Sequence, residues 1–137
     1  MRTLNNITDD KLIKEINTYA NLIMVVNGFN STYGAVLHQM LLNMHCSRWT
    51  NKIQRNIVLL DSAAKADIAE KVGVGSDYVA RITCAFVKHN ILIRLSPGVY
   101  QVNAELVGCK SWDKLKRIEV NINLRNQVIK PTLIYKE

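Results

Sequence analysis

The 137-residue sequence contains little glycine, proline or cysteine, with 6, 2 and 3 residues respectively. The scarcity of glycine and proline excludes collagen-like and low-complexity chains. The cysteines, Cys46, Cys84 and Cys109, are odd in number and widely spaced, so we expect free thiols rather than a disulfide framework. No apolar run approaches the ~20 residues of a transmembrane helix, and no secretory signal pattern opens the chain. These absences predict a cytoplasmic protein with no membrane partner.

The sequence also lacks the short motifs of common enzyme classes. Neither G-x-x-x-x-G-K-[ST] nor G-x-S-x-G occurs. The histidines are His38, His45 and His89, and no two are separated by one residue, so the His-x-His pair of metal-dependent nicking enzymes is absent. His38 and His45 are seven residues apart, but a histidine at the rim of a core is commoner than a metal ligand. We predict no catalytic activity, no metal and no cofactor.

What the sequence does contain is apolar residues and positive charge. Hydrophobic residues make up 48% of the chain, enough for a core that needs no disulfide or metal. Lys and Arg number 18 against 11 Asp and Glu, a formal net charge of +7. Residues 1–61 have six basic and four acidic side chains, and residues 62–137 have twelve and seven. This excess suits a polyanionic partner such as DNA.

Local patterns predict two helices before residue 45. Thr8 is the predicted cap of the first, which ends at Asn27-Gly28, although its β-branched residues leave part of the segment open to extended structure. Ser31 is the predicted cap of the second, whose apolar residues follow helical spacing: Tyr33, Val36, Leu37, Met40, Leu41 and Met44. Residues 45–55 have no period and are predicted to form a basic loop.

The middle of the chain alternates strands and helices. Residues 57–60 form a predicted buried strand, followed by a helix capped by Ser62 and ended by Gly73. A second helix is expected from about residue 77 to 89, ended by a left-handed Asn90. Residues 91–95 and 99–102 flank Pro97-Gly98 and predict a β-hairpin. Residues 118–124 alternate with a period of two and predict a strand paired with residues 128–135.

This order of elements is that of a winged helix-turn-helix domain. The two central helices have the residues that such a domain needs, at the required spacing. Ala69 is small enough for the helices to cross closely, Gly73 forms the turn, and Val74 fills the angle between the helices. Val79 and Ile82 anchor the second helix to the core. The outward face of the second helix would enter the major groove by its N-terminal end. Arg81 is the best candidate for a base contact, because a guanidinium can bond both acceptors of guanine.

The predicted DNA-binding residues lie on these helices and on the wing. They are Ser62, Lys65, Ser76, Asp77, Tyr78, Arg81, Lys88, Arg94 and Ser96. A secondary set in the predicted basic loop, Arg48, Lys52 and Arg55, would contact phosphates beside Trp49. Trp49 and Trp112 fit either stacking on a base or closing the edge of the core. The C-terminal hairpin could offer an edge to a second copy, and helix-turn-helix proteins commonly dimerise.

Residues 33–112 resemble the RepL-type winged-helix replication initiators of plasmids and related phage proteins. The resemblance lies in the helix-turn-helix segment DIAEKVGVGSDYVAR (67–81), in NILIR (90–94) and in PGVYQVNAEL (97–106). Asn90, Thr83 and Ala104 depart from the family pattern, where glycine, an aliphatic residue and proline are usual. The resemblance implies that Arg81 and its neighbours bind a replication origin and that host replication proteins are partners.

The sequence therefore predicts an α+β fold. A winged helix-turn-helix domain (31–108) would follow an N-terminal helical extension (1–30) and precede a link with a C-terminal β-hairpin (109–137). The expected function is sequence-specific binding of double-stranded DNA, as a homodimer, to initiate plasmid or phage replication. A transcriptional regulator of a mobile element and a protein-binding winged-helix adaptor are the alternatives.

Overall fold

A computed structural model describes residues 10–49, 52–107, 115–123 and 128–135 and has an α+β fold with a small antiparallel sheet. The elements in chain order are α1 (Asp10–Val26), α2 (Ser31–Leu42), β1 (His45–Trp49), β2 (Lys52–Leu59), α3 (Ser62–Val72), α4 (Ser76–Lys88), β3 (Leu92–Ser96), β4 (Val99–Val102), α5 (Ala104–Val107), β5 (Leu115–Asn123) and β6 (Val128–Tyr135). No helix in these ranges is both long and apolar enough to cross a bilayer.

Helix α1 is continuous, so the expectation of partly extended structure in this segment is wrong. Leu12, Ile16, Tyr19 and Ile23 are buried along one face, and this helical stripe outweighs the β-branched residues within it. The helix ends before Gly28, which has a φ of 77°. Thr8, the predicted cap, lies outside the described residues.

The N-terminal caps of α2 and α3 each lie one residue before the predicted serine. The Asn30 side chain accepts hydrogen bonds from the backbone N–H groups of Thr32 and Tyr33. The Asp61 carboxylate accepts one from the N–H of Ala64 at 2.8 Å. Both caps have extended backbone with ψ near 180°, which aims the side chain at the free amides of the first turn. Ser31 and Ser62 are instead the first residues of their helices.

The predicted basic loop at residues 45–55 is wrong, because β1 and β2 form an antiparallel pair there. His45 pairs with Ile57 and Ser47 with Gln54, so β2 contains one extra residue between the two pairs. Asn56 lies in this bulge with a φ of 63°. The segment has no alternation of apolar and polar residues, so the sequence pattern does not reveal the strand pairing.

The four-stranded sheet has the order β1-β2-β4-β3, and β5-β6 form a separate two-stranded sheet. The predicted hairpin at residues 91–102 is confirmed, as is the pairing of residues 118–123 with 128–133, whereas residues 124–127 lie outside the described residues. Strand β2 precedes α3 and α4 in the chain, and β3 and β4 follow them. The sheet therefore brings together strands from both sides of this helix pair.

One buried cluster includes residues from α1, α2, the central strands and helices, and β5. Two hydrogen bonds connect α1 to the later part of the chain. The buried hydroxyl of Tyr19 donates to the carbonyl of Leu106 at 2.6 Å, and Glu15 Oε1 accepts from the N–H of Ile118 in β5 at 2.9 Å. The first helix and the C-terminal sheet therefore pack into the same core as the central elements.

Candidate nucleic-acid interface

Helices α3 and α4 are joined by the tight turn that the sequence predicts. Gly73 has a φ of 87°, and its N–H donates to the carbonyl of Ala69 at 2.8 Å. The N–H of Val74 donates to the same carbonyl at 3.0 Å, which closes the end of α3. Ala69, Val79 and Ile82 are buried, and Val74 is half-buried against the core.

The buried face of α4 fixes which side of the helix meets solvent. Val79, Ile82, Thr83 and Phe86 are all buried. Thr83, where the resemblance predicts an aliphatic residue, donates its hydroxyl to the carbonyl of Val79 at 2.9 Å. This bond within the helix satisfies the only polar group on the buried face of α4, so the position is compatible with the core.

The opposite face of α4 presents an exposed polar stripe. Asp77, Arg81, Cys84 and Lys88 recur at i, i+4, i+7 and i+11 and are all exposed. We call these four residues the α4 stripe. At the N-terminal end, Ser76 is exposed, and the cap residue Gly75 has no side chain to accept a hydrogen bond from the first backbone amides of the helix.

Arg81 is held against an aromatic row that begins outside α4. Its guanidinium carbon lies 5.5 Å from the centre of the Tyr78 ring. Tyr78 in turn meets the ring of Tyr33 edge-on, with centroids 6.3 Å apart. Phe29 stacks on Tyr33 at 4.7 Å with an interplanar angle of 8°. We call Phe29, Tyr33 and Tyr78 the aromatic row.

Sequence reasoning missed two members of this row as supports for the site. Tyr33 is predicted only as a core residue of α2, and Phe29 is not singled out. The available signal is the placement of two aromatic residues four apart around the cap Asn30. That spacing brings them together at the start of a helix, but it does not show that Tyr78 is their neighbour.

The remaining predicted contacts are spread over the surface. Ser62 is exposed and Lys65 half-buried in the first turns of α3. On β3, Arg94 is exposed opposite Tyr100 of β4, and Ser96 is half-buried where the strand ends. Lys88 lies twelve residues beyond Ser76, or about 18 Å along α4. The structure thus groups Ser76, Asp77, Tyr78 and Arg81 near one helix end and leaves Lys88 at the other.

The charge of α3 and α4 is nearly balanced. Residues 61–103 contain five basic and four acidic side chains, and Lys71 pairs with Asp67 at 3.2 Å. Residues 45–60, by contrast, contain Arg48, Lys52 and Arg55 and no acidic residue. Arg55 is exposed. The secondary set therefore belongs to paired strands, and it holds more of the positive excess than the helix pair does.

Histidine and the other metal-binding residue types do not cluster in the part of the chain that is described. No group of three or more His, Cys, Asp or Glu there could hold a metal ion. His38 Nε2 lies 3.2 Å from the carbonyl of Ile13, and burial between α1 and α2 lowers the pKa of the ring. Its environment is that of a core-rim residue.

No family model matches the sequence, and no curated protein and no solved structure matches it either. The chemistry of the α4 surface and the strand order around it are therefore the basis of a functional assignment.

Proposed function

We propose that this chain is a winged helix-turn-helix protein that binds double-stranded DNA in a sequence-specific manner. The order β2, α3, α4, β3, β4 supports this architecture, as does the sheet order β2-β4-β3, in which the strand before the helix pair joins the later hairpin. The tight turn at Gly73 supports it as well. In this proposal β3 and β4 form the wing.

Helix α4 is the proposed recognition helix, and Arg81 is its main base contact. The observation on which this rests is an exposed guanidinium that is also packed on the Tyr78 ring. A guanidinium restrained in this way loses less side-chain entropy when it bonds both acceptors of guanine. Ser76 and Asp77 flank it near the N-terminal end, which is the end that enters the major groove.

The other predicted residues are proposed to position the duplex rather than read it. Ser62 and Lys65 open α3 and are placed for phosphates, as is Lys88 at the end of α4. Arg94 and Ser96 would contact the backbone beside the wing. A homodimer would set two α4 helices about 34–36 Å apart, one turn of DNA, so that its site is a repeated or inverted half-site.

The proposed biological role is the non-catalytic initiation of plasmid or phage replication, with host replication proteins as partners. The support for this role is the resemblance of residues 67–81 and 90–106 to RepL-type initiators. A transcriptional regulator of a mobile element needs the same groove contacts, and the gene's position beside an iterated origin or a divergent promoter would distinguish the two.

A protein-binding adaptor is the second candidate function, favoured by the near balance of charge on α3 and α4. Selection of bound sequences from a random duplex pool tests both. The DNA-binding proposal predicts an enriched motif containing guanine and an affinity that falls steeply with salt. Lys65→Gln should weaken binding to all duplexes alike, whereas Arg81→Ala should relax the preference for guanine at one base pair of the motif. A pool that shows no enrichment would favour the adaptor.

A further inference from the structure

Strands β1 and β2 extend beyond the rest of the four-stranded sheet. Residues 57–59 of β2 pair with β4, at Gln101, Tyr100 and Val99. Residues 52–54 pair with β1 and with no other described strand. We call residues 45–49 and 52–56 the ribbon. Its outer part is a two-stranded projection, because β4 does not reach it.

The ribbon leaves the sheet at the end opposite the β3–β4 turn. Leu59 pairs with Val99 directly beside that turn, and the N–H of Leu60 donates to the carbonyl of Gly98 at 2.8 Å. Lys52 lies seven residues back along β2, which corresponds to roughly 23 Å at the rise of a β-strand. The outer end of the ribbon is therefore far from the proposed wing.

Positive charge is concentrated on this projection without any acidic residue to offset it. Arg48 pairs with Ile53 and Trp49 with Lys52, so Arg48 and Lys52 hold neighbouring register positions at the outer end of the ribbon. Arg55, where the ribbon meets the sheet, is exposed. Three of the seven net charges of the chain thus lie within residues 45–60.

We propose that the ribbon is a second DNA-binding surface, separate from α4, that contacts the phosphate backbone of a further duplex segment. A two-stranded ribbon fits the major groove, and the phosphates that border the groove would attract the three basic residues of this segment. The inference goes beyond the proposed reading of bases by Arg81, because it does not require α4 to recognise any sequence. In this proposal the ribbon, rather than the nearly neutral pair of helices α3 and α4, supplies most of the non-specific attraction to DNA.

The first test is a salt titration of binding to a short random duplex. The variant R48Q/K52Q/R55Q is compared with K14Q/K71Q/K116Q, which loses the same net charge at exposed positions on α1, α3 and β5. Each lost phosphate contact lowers the slope of log affinity against log salt by about 0.9, so the ribbon variant should lose roughly 2–3 units of slope. The control variant should keep the wild-type slope. Equal slopes for the two variants would overturn the proposal. Binding of the wild-type chain to poly-glutamate as strong as its binding to the duplex would overturn it as well.

The second test asks whether one protein can hold two duplexes. A biotinylated duplex on beads captures the protein, and retention of a second, labelled duplex is measured. The wild-type chain and the control variant should retain it, and the ribbon variant should not. Retention by the ribbon variant would overturn the proposal, because two copies of α4 in a dimer would then explain the bridging.

Separate variants test base reading by Arg81 and phosphate binding by the ribbon. Arg81→Ala should relax the preference at one base pair of the selected sequence and still show the salt dependence that the ribbon supplies. Circular dichroism and thermal unfolding of each variant establish that the fold is intact. A ribbon variant that unfolds is replaced by the single changes Arg55→Gln and Lys52→Gln, each of which should lower the slope by about 0.9.

Discussion

The guanidinium of Arg81 lies over the ring of Tyr78, three residues earlier on α4, with the guanidinium carbon 5.5 Å from the ring centre. Tyr78 is itself held edge-on by Tyr33, which belongs to α2. The conformation of a proposed base-reading side chain is thus connected to a helix 45 residues away in sequence. This arrangement has consequences for binding that can be measured separately from those for folding.

Replacing Arg81 with alanine should lower specific affinity by about 1–3 kcal/mol and relax the preference at one base pair. The side chain is exposed, so the midpoint of thermal unfolding should change little. Competition binding against the selected motif and its single-base variants measures the effect. Cys84→Ala, the next residue of the α4 stripe, is the matched control and should keep the preference. Unchanged discrimination in the Arg81 variant would show that α4 does not read bases through it.

Tyr78→Leu should weaken specific binding by about 0.5–1 kcal/mol, because the cation–π contact that restrains Arg81 is lost. Tyr78→Phe keeps the ring and should restore most of that loss. In a background that already contains Arg81→Ala, the leucine substitution should have no further effect on specificity. A full additional loss in that background would mean that Tyr78 contacts DNA independently. Competition binding measures all four proteins.

Asp61→Ala should destabilise the fold by about 1 kcal/mol, because the amide of Ala64 loses its cap. Ser62→Ala is the neighbouring control and should change the free energy of unfolding by less than about half that amount, since Ser62 is exposed in the first turn. Urea unfolding measures both variants. A larger effect at Ser62 than at Asp61 would contradict the assigned cap.

Stability should fall on acidification through the titration of His38. Burial lowers the pKa of this ring below its ordinary value of 6.5, so the unfolded chain binds a proton more readily than the folded protein does. The stability that the neutral His38 ring contributes is fully present above pH 6.5. It is lost as the pH falls below that value toward the lowered pKa of the folded state. Urea unfolding between pH 7.5 and 5 measures it, and His38→Gln should flatten the dependence. A variant that loses stability on acidification as steeply as the wild-type chain would assign the effect to other groups.

The elements that sequence reasoning located well are those specified by nearby residues. Helices α3 and α4 follow their apolar spacing and the left-handed Gly73 between them, and the β3–β4 hairpin follows its Pro97-Gly98 turn. The ribbon was not predicted, because its pairing joins polar segments with no period of their own. The support of Tyr78 by Tyr33 was equally inaccessible, since it depends on how α2 packs against α4.

The carboxylate of Glu15 accepts a hydrogen bond from the backbone N–H of Ile118, on the edge of β5 that faces away from β6. An incoming strand would need that donor to extend the two-stranded sheet on this side. A sheet shared between two copies is therefore blocked at Ile118 unless α1 gives up its bond. Self-association through the C-terminal hairpin would have to use the far edge, along β6, where Pro131 supplies no N–H. Both margins of this hairpin thus resist uncontrolled strand addition, which protects an otherwise small and open sheet from aggregation.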